Sequence, residues 1–141
     1  MLKRVSEMLK VKIENVGLKL DPKYPIFGAS ADGISKDSVF EVKSPISQKS
    51  KLNYILKNGK PSNKCKAQVH LQMLLCKRKQ GYLCVAHPDF EETGYVEIVK
   101  IPFEQTYLES IMEKAQLFWI KFVYPKLVTC VIGEPVELPV K

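Results

Sequence analysis

The chain has 141 residues, 45% of them hydrophobic and 26% charged, which is enough for one globular domain with a buried core and too little for two comfortable ones. It has no run of about 18 apolar residues and no charged-then-apolar-then-small N-terminal pattern, so neither a membrane span nor a secretory signal is expected. Four cysteines (Cys65, Cys76, Cys84 and Cys130) without a CxxC pair, and only two histidines, argue against a zinc site and fit a reducing, intracellular compartment.

In chain order, MLKRVSEML places Leu2, Val5 and Leu9 at helical spacing. VKIENVGLKL alternates apolar residues with an interruption at 15–17, which predicts two strand pieces around a turn. Beyond Pro22 and Pro25, FGAS leads into the turn ADG, where Gly33 can take a positive φ. The strand SVFEVKS follows and ends at Pro45, with Val39, Glu41 and Lys43 on one face and Phe40 and Val42 on the other. A short helical stretch is expected around Leu52–Leu56, closed by the breaker-rich KNGKPSN.

KCKAQVHLQMLLCKRK lacks Gly and Pro and predicts a helix with an apolar stripe of Ala67, Leu71, Leu74 and Leu75. Gln68 and Gln72, four residues apart, lie side by side on the neighbouring face. GYLCVA and GYVEIVKI read as strands joined by HPDFEET. FEQTYLESIMEKAQLFWIKFV is the clearest amphipathic helix; it makes Phe118, Trp119 and Phe122 core residues by default and Pro125 the stop. The tail VTCVIGEPVELPVK has no clear period. This order predicts a layered α/β or α+β domain.

The net charge of +7 is segregated. Residues 43–79 hold ten Lys or Arg and no Asp or Glu, which leaves 12 basic and 15 acidic residues elsewhere. Such a block has the character of a footprint for a polyanion, and a lysine-rich solvated loop is the plainer alternative. KRK at 77–79 reads as cations complementing a helix C-terminus.

Asp32 in a turn, then Glu41 and Lys43 on the next strand, supply what phosphodiester hydrolysis with a divalent cation requires. Magnesium takes oxygen ligands and usually one or two carboxylates, and an ammonium beside them can meet a phosphate or orient a water. Taken alone, Asp32 is equally a turn-capping aspartate and Glu41–Lys43 an exposed strand pair.

Together, FGASADGIS, VFEVKSP and KAQVHLQMLL resemble the YqaJ-type viral recombinase family, relatives of phage lambda exonuclease in the PD-(D/E)XK nuclease superfamily; the resemblance runs from about Val11 to Leu127. It implies a restriction-endonuclease-like core, a mixed central sheet flanked by helices, as one domain over 1–141 with a shortened N-terminal helical region. By this likeness Asp32 and Glu41 are metal ligands together with the backbone carbonyl of Val42, Lys43 is the catalytic lysine, and Gln68 is the glutamine that approaches the site from the helix. Lys49, Lys51, Lys64 and Lys66 flank that site as candidate phosphate contacts.

The implied activity is DNA cleavage with magnesium or manganese, often exonucleolytic and paired with a strand-annealing protein, in the nucleus of a eukaryote or otherwise in the cytoplasm. Some relatives form homo-oligomeric rings. The chain departs from the pattern at Ala31, where proline is common, at His70, where a second glutamine is usual, and in having only MLKRVSEML before its first strand. Its alternatives are a DNA-binding module of this fold that has lost hydrolysis and a protein-interaction scaffold.

Overall fold

A computed structural model describes residues 1–133. The elements in order are α1 (Leu2–Leu9), β1 (Lys19–Leu20), β2 (Gly28–Ala29), β3 (Gly33–Ile34), β4 (Ser38–Lys43), α2 (Gln48–Lys51), α3 (Asn63–Leu75), β5 (Gln80–Ala86), α4 (Phe90–Thr93), β6 (Val96–Pro102), α5 (Gln105–Phe118) and α6 (Tyr124–Ile132). Two compact units result, Met1–Glu104 and a helical unit from Gln105 onward.

In the first unit, β3-β4-β5-β6 form one mixed sheet: β4 and β5 are parallel and both outer pairs antiparallel. The mixed α/β architecture is the expected one. The pleat sorts side chains as the alternation predicts. Val39, Leu83, Val85 and Ile101 face α3, where they bury Cys65, Val69 and Met73. Phe40, Cys84 and Val96 face Val5 of α1. Leu83, Val39, Val69, Met73 and Phe40 are fully buried, each large aliphatic or aromatic one contributing about 1.5–3 kcal/mol.

Several local expectations are corrected. Between Val11 and Leu20 only Lys19–Leu20 forms a strand, paired with β2, while Glu14 makes a single bridge to Ile34. Gly33 does not have a positive φ; it lies in β3, where a Cβ would come within 2.5 Å of Ile13 Cγ2, so glycine is needed for close approach. The short helix is Gln48–Lys51 and not Leu52–Leu56, because Ser47 and Ser50 form a capping box that starts it earlier.

Helix α3 begins at Ser62, whose hydroxyl accepts from Cys65 N. Its buried line is rotated from the predicted stripe: Cys65, Val69, Gln72, Met73 and Cys76 are inside, and of the predicted four only Leu75 is buried. Both sides of α3 carry apolar residues, so periodicity could not choose between them. Arg78 closes its C-terminal end, donating to the carbonyls of Cys76 (2.9 Å), Lys77 (3.3 Å) and Ser35 (2.9 Å), which agrees with the helix-end reading of KRK.

His70 is fully buried on α3. Its Nδ1 donates to Lys66 O at 2.8 Å and its Nε2 accepts from Glu104 N at 3.2 Å, which defines a neutral ring. Burial lowers its pKa below the usual histidine range, partly offset by the Lys66 carbonyl, while the nearby Lys66 ammonium and Glu104 carboxylate oppose each other. The unfolded chain therefore takes up this proton first as pH falls, so the stability is fully present above about 6.5 and is lost below it. The thermal midpoint should be flat between about pH 7 and 8 and decline from about 6.5 downward, and His70→Gln should flatten that decline.

In the second unit, α5 continues through a π-helical turn, Trp119–Val123, into α6, giving one helix over Gln105–Ile132. Pro125 does not stop it. The wide turn shifts the hydrogen-bonding register so that proline falls in the first turn of α6, where its missing N–H costs little. Of the aromatic stripe expected in the core, Phe118 is 58% and Phe122 50% exposed, and Trp119 is half-buried. No other described element of this unit exists to cover it. This 28-residue helix is also long and apolar enough, by length and composition, to cross a membrane, although Glu109, Glu113, Lys114, Lys121 and Lys126 lie along it. The aperiodic tail beyond 133 lies outside the described residues.

Candidate active site

The pleat of β4 turns Glu41 toward α3, beside Leu83 of β5, where its side chain is only 5% exposed. An unpaired carboxylate there would cost several kcal/mol. Three donors meet it. Oε1 accepts from Lys43 Nζ at 2.6 Å and Gln68 Nε2 at 2.7 Å, and Oε2 accepts from Gln72 Nε2 at 2.7 Å. Lys43 also donates to Gln68 Oε1 at 3.3 Å, which closes a ring of three side chains.

Asp32 lies just before β3 and is tied to β4 at two points. Its amide donates to Phe40 O at 3.0 Å, and its Oδ2 accepts from Val42 N at 2.7 Å. Those partners are the residues on either side of Glu41, so Asp32 runs alongside Glu41. The carboxylate braces the neighbouring strand and not its own turn. It is exposed, whereas Glu41 and Lys43 are not: an exposed edge pair is excluded by side-chain exposures of 5% and 22%.

Both acids act on the same neighbours. Burial alone would lower the Lys43 pKa, but its hydrogen bond to Glu41 and the charges of Glu41, Cys65 and Asp32 hold the ammonium above its ordinary range. Burial, with Asp32 and Glu41 adding to it, pushes the Cys84 thiol up to about 12 and leaves it an inert core group. Val42 thus meets Asp32 through its N–H.

No group of three or more His, Cys, Asp or Glu able to hold a metal occurs among the described residues. Two carboxylates, one buried and one open to solvent, with a cation already drawn to the buried one, fit magnesium or manganese, which complete their shells with water and phosphate oxygens. They do not fit zinc.

The candidate phosphate contacts divide. Lys49 and Lys64 are exposed. Lys51 forms an ion pair with Glu97, and Lys66 pairs with Glu104 at 2.7 Å. The Lys51–Glu97 pair is partly buried, with side-chain exposures of 16% and 32%, and the Lys66–Glu104 pair is more open at 29% and 46%.

The second amide on Glu41 comes from Gln72, one helical turn beyond Gln68, and not from residue 70. Sequence reasoning saw the adjacency of Gln68 and Gln72 but did not place Gln72 in the site. The available signal was a glutamine in line with Cys65, Val69 and Met73, a buried line in which a polar residue needs a partner.

A mixed sheet flanked by helices, with an aspartate leading into an E-x-K strand and a glutamine-bearing helix laid over it, is the architecture expected from the sequence. No protein-family model matches the sequence, and no curated protein matches it. Among solved structures, the chain is similar to an alkaline exonuclease, LHK-Exo, from Laribacter hongkongensis. In the complex of that protein with dAMP the TM-score is 0.77 at 19% identity, covering 94% of this chain and 68% of that one. A second crystal structure of it gives 0.64 at 20% identity, covering 89% and 69%. SSO0001 gives 0.51 at 19%, covering 98% and 66%. At these identities the likeness is one of fold.

Proposed function

We propose that this chain is a metal-dependent deoxyribonuclease domain that hydrolyses phosphodiester bonds, acting through phosphate contacts with little base reading. One observation carries the proposal: Asp32 is fastened to both sides of Glu41, while Lys43 lies 2.6 Å from the Glu41 carboxylate. The LHK-Exo fold, solved in one case with dAMP, supports a nuclease reading.

Asp32, Glu41 and the Val42 carbonyl would hold magnesium or manganese, which supplies Lewis-acid relief of phosphoryl charge and a more acidic water. Lys43 orients the attacking water or meets the phosphate as a point charge. Gln68 bonds both Glu41 and Lys43 and approaches the site from the helix. Lys49 and Lys64 lead the backbone toward the site, and Lys51 and Lys66 can exchange their acids for phosphates. A setting in recombination, beside a strand-annealing protein, is part of the same proposal.

The test is digestion of linear and circular duplex DNA with magnesium or manganese, against EDTA and against Asp32→Ala. Cleavage lost in both controls supports the proposal, and a preference for linear over circular DNA supports an exonuclease. Salt-sensitive binding without cleavage favours a binding module of the same fold, and absence of binding at low salt rules out both.

A further inference from the structure

The two oxygens of the Glu41 carboxylate are held in different ways, and we propose that Gln72 is a positioning residue that locks Oε2 so that Oε1 is the oxygen presented to a divalent cation. This rests on the metal-nuclease reading above. Gln72 is 1% exposed, and its Nε2 donates at 2.7 Å to Glu41 Oε2 and at 3.1 Å to Ser30 O. Ser30 is two residues before Asp32, so one amide fixes the Glu41 carboxylate relative to the segment that delivers the second acid.

The orientation of that amide is set by its partners. Turned over, its carbonyl oxygen would face a carboxylate oxygen and a peptide oxygen, both acceptors. In the orientation adopted, Gln72 Oε1 is buried without a hydrogen-bond partner. Such atoms are rare in folded interiors, and this one is left over because both N–H groups are committed to the site.

The other oxygen is held by two half-buried side chains, with bonds of 2.6 and 2.7 Å. Lys43 and Gln68 share Oε1, both are less buried than Gln72, and they also bond each other. An ammonium and a divalent cation compete for the same lone pairs of Oε1. A cation bound there would take the place of the Lys43 and Gln68 hydrogen bonds, while Gln72 would keep Oε2. The two glutamines, with equal 2.7 Å bonds to one carboxylate, therefore have opposite effects on cation affinity.

The experiment is calorimetric Mn2+ binding in the absence of DNA, on wild type, Gln72→Leu, Gln72→Met and Gln68→Leu, with unfolding midpoints recorded alongside. The Gln72 variants should bind about tenfold more weakly, the converse of the pre-organisation that positioned ligands provide, and Gln68→Leu should bind as tightly as wild type or tighter. A merely structural role lowers the midpoint and produces no difference in sign. Gln72 variants within about threefold of wild type, or both glutamines weakening binding alike, overturn the inference while the nuclease reading stands. A wild type that binds no Mn2+ overturns both.

Should neither Gln72 variant fold, the side-chain amide resonances of the 15N-labelled wild type decide. On addition of Mg2+ those of Gln68 should move while those of Gln72 stay in place and exchange slowly. The reverse order contradicts the inference.

Discussion

Lys43→Met should lower the rate of linear duplex cleavage by about a hundredfold or more while leaving Mn2+ affinity unchanged or improved. The two effects separate because Lys43 has two relations to the site. Its ammonium lies 2.6 Å from Glu41 Oε1, the oxygen we assign to the cation, so removing it removes a competitor. The Glu41 hydrogen bond and the Glu41 and Asp32 charges also hold it protonated, so on the proposed reading it is the positive charge offered to a phosphate. Single-turnover cleavage at saturating metal, beside calorimetric Mn2+ binding, measures both. A variant that cleaves within about threefold of wild type contradicts the role given to Lys43, and one that binds metal more weakly contradicts the competition.

The largest expected effect on stability lies at Gly81. A Cβ there would be 2.2 Å from Val69 Cγ1, 3.4 Å from Val39 Cγ2 and 3.5 Å from Met73 Sδ, all on fully buried side chains. Val69 follows Gln68 on α3, and Val39 lies opposite Gly81 and two residues before Glu41. This close approach of helix to sheet is what lets the two glutamines reach the carboxylate. Gly81→Ala should cost about 3 kcal/mol, the upper end of ordinary overpacking, because Val69 has nowhere to move. Urea denaturation measures it. Adding Val69→Ala should recover part of the loss by removing the clashing methyl, and a double variant no more stable than Gly81→Ala would place the strain elsewhere.

Much of this site was legible along the chain because its core is local. Glu41 and Lys43 share a face by the strand period alone, and Asp32 is one short turn away. The two faces of β4 were legible for the same reason, since alternation separates Val39, Glu41 and Lys43 from Phe40 and Val42. What was not legible depended on partners distant in sequence. The buried face of α3 is decided by Glu41 and by Gly81, not by the helix's own periodicity, and so Gln72 went unplaced. The Lys51 and Lys66 ion pairs join residues 46 and 38 positions apart, which no local pattern reveals. In the C-terminal segment the helix was legible from its apolar spacing, but spacing alone does not say what covers a stripe, and a π-helical turn carried the chain past Pro125.

Anomalous diffraction from crystals of the protein soaked in Mn2+ tests the shared-cation site most directly. A single strong peak within oxygen-ligand distance of both the Asp32 and Glu41 carboxylates, with Lys43 moved off Glu41 Oε1, is the predicted result. Manganese bound only elsewhere, with Lys43 still paired to Glu41, would contradict it.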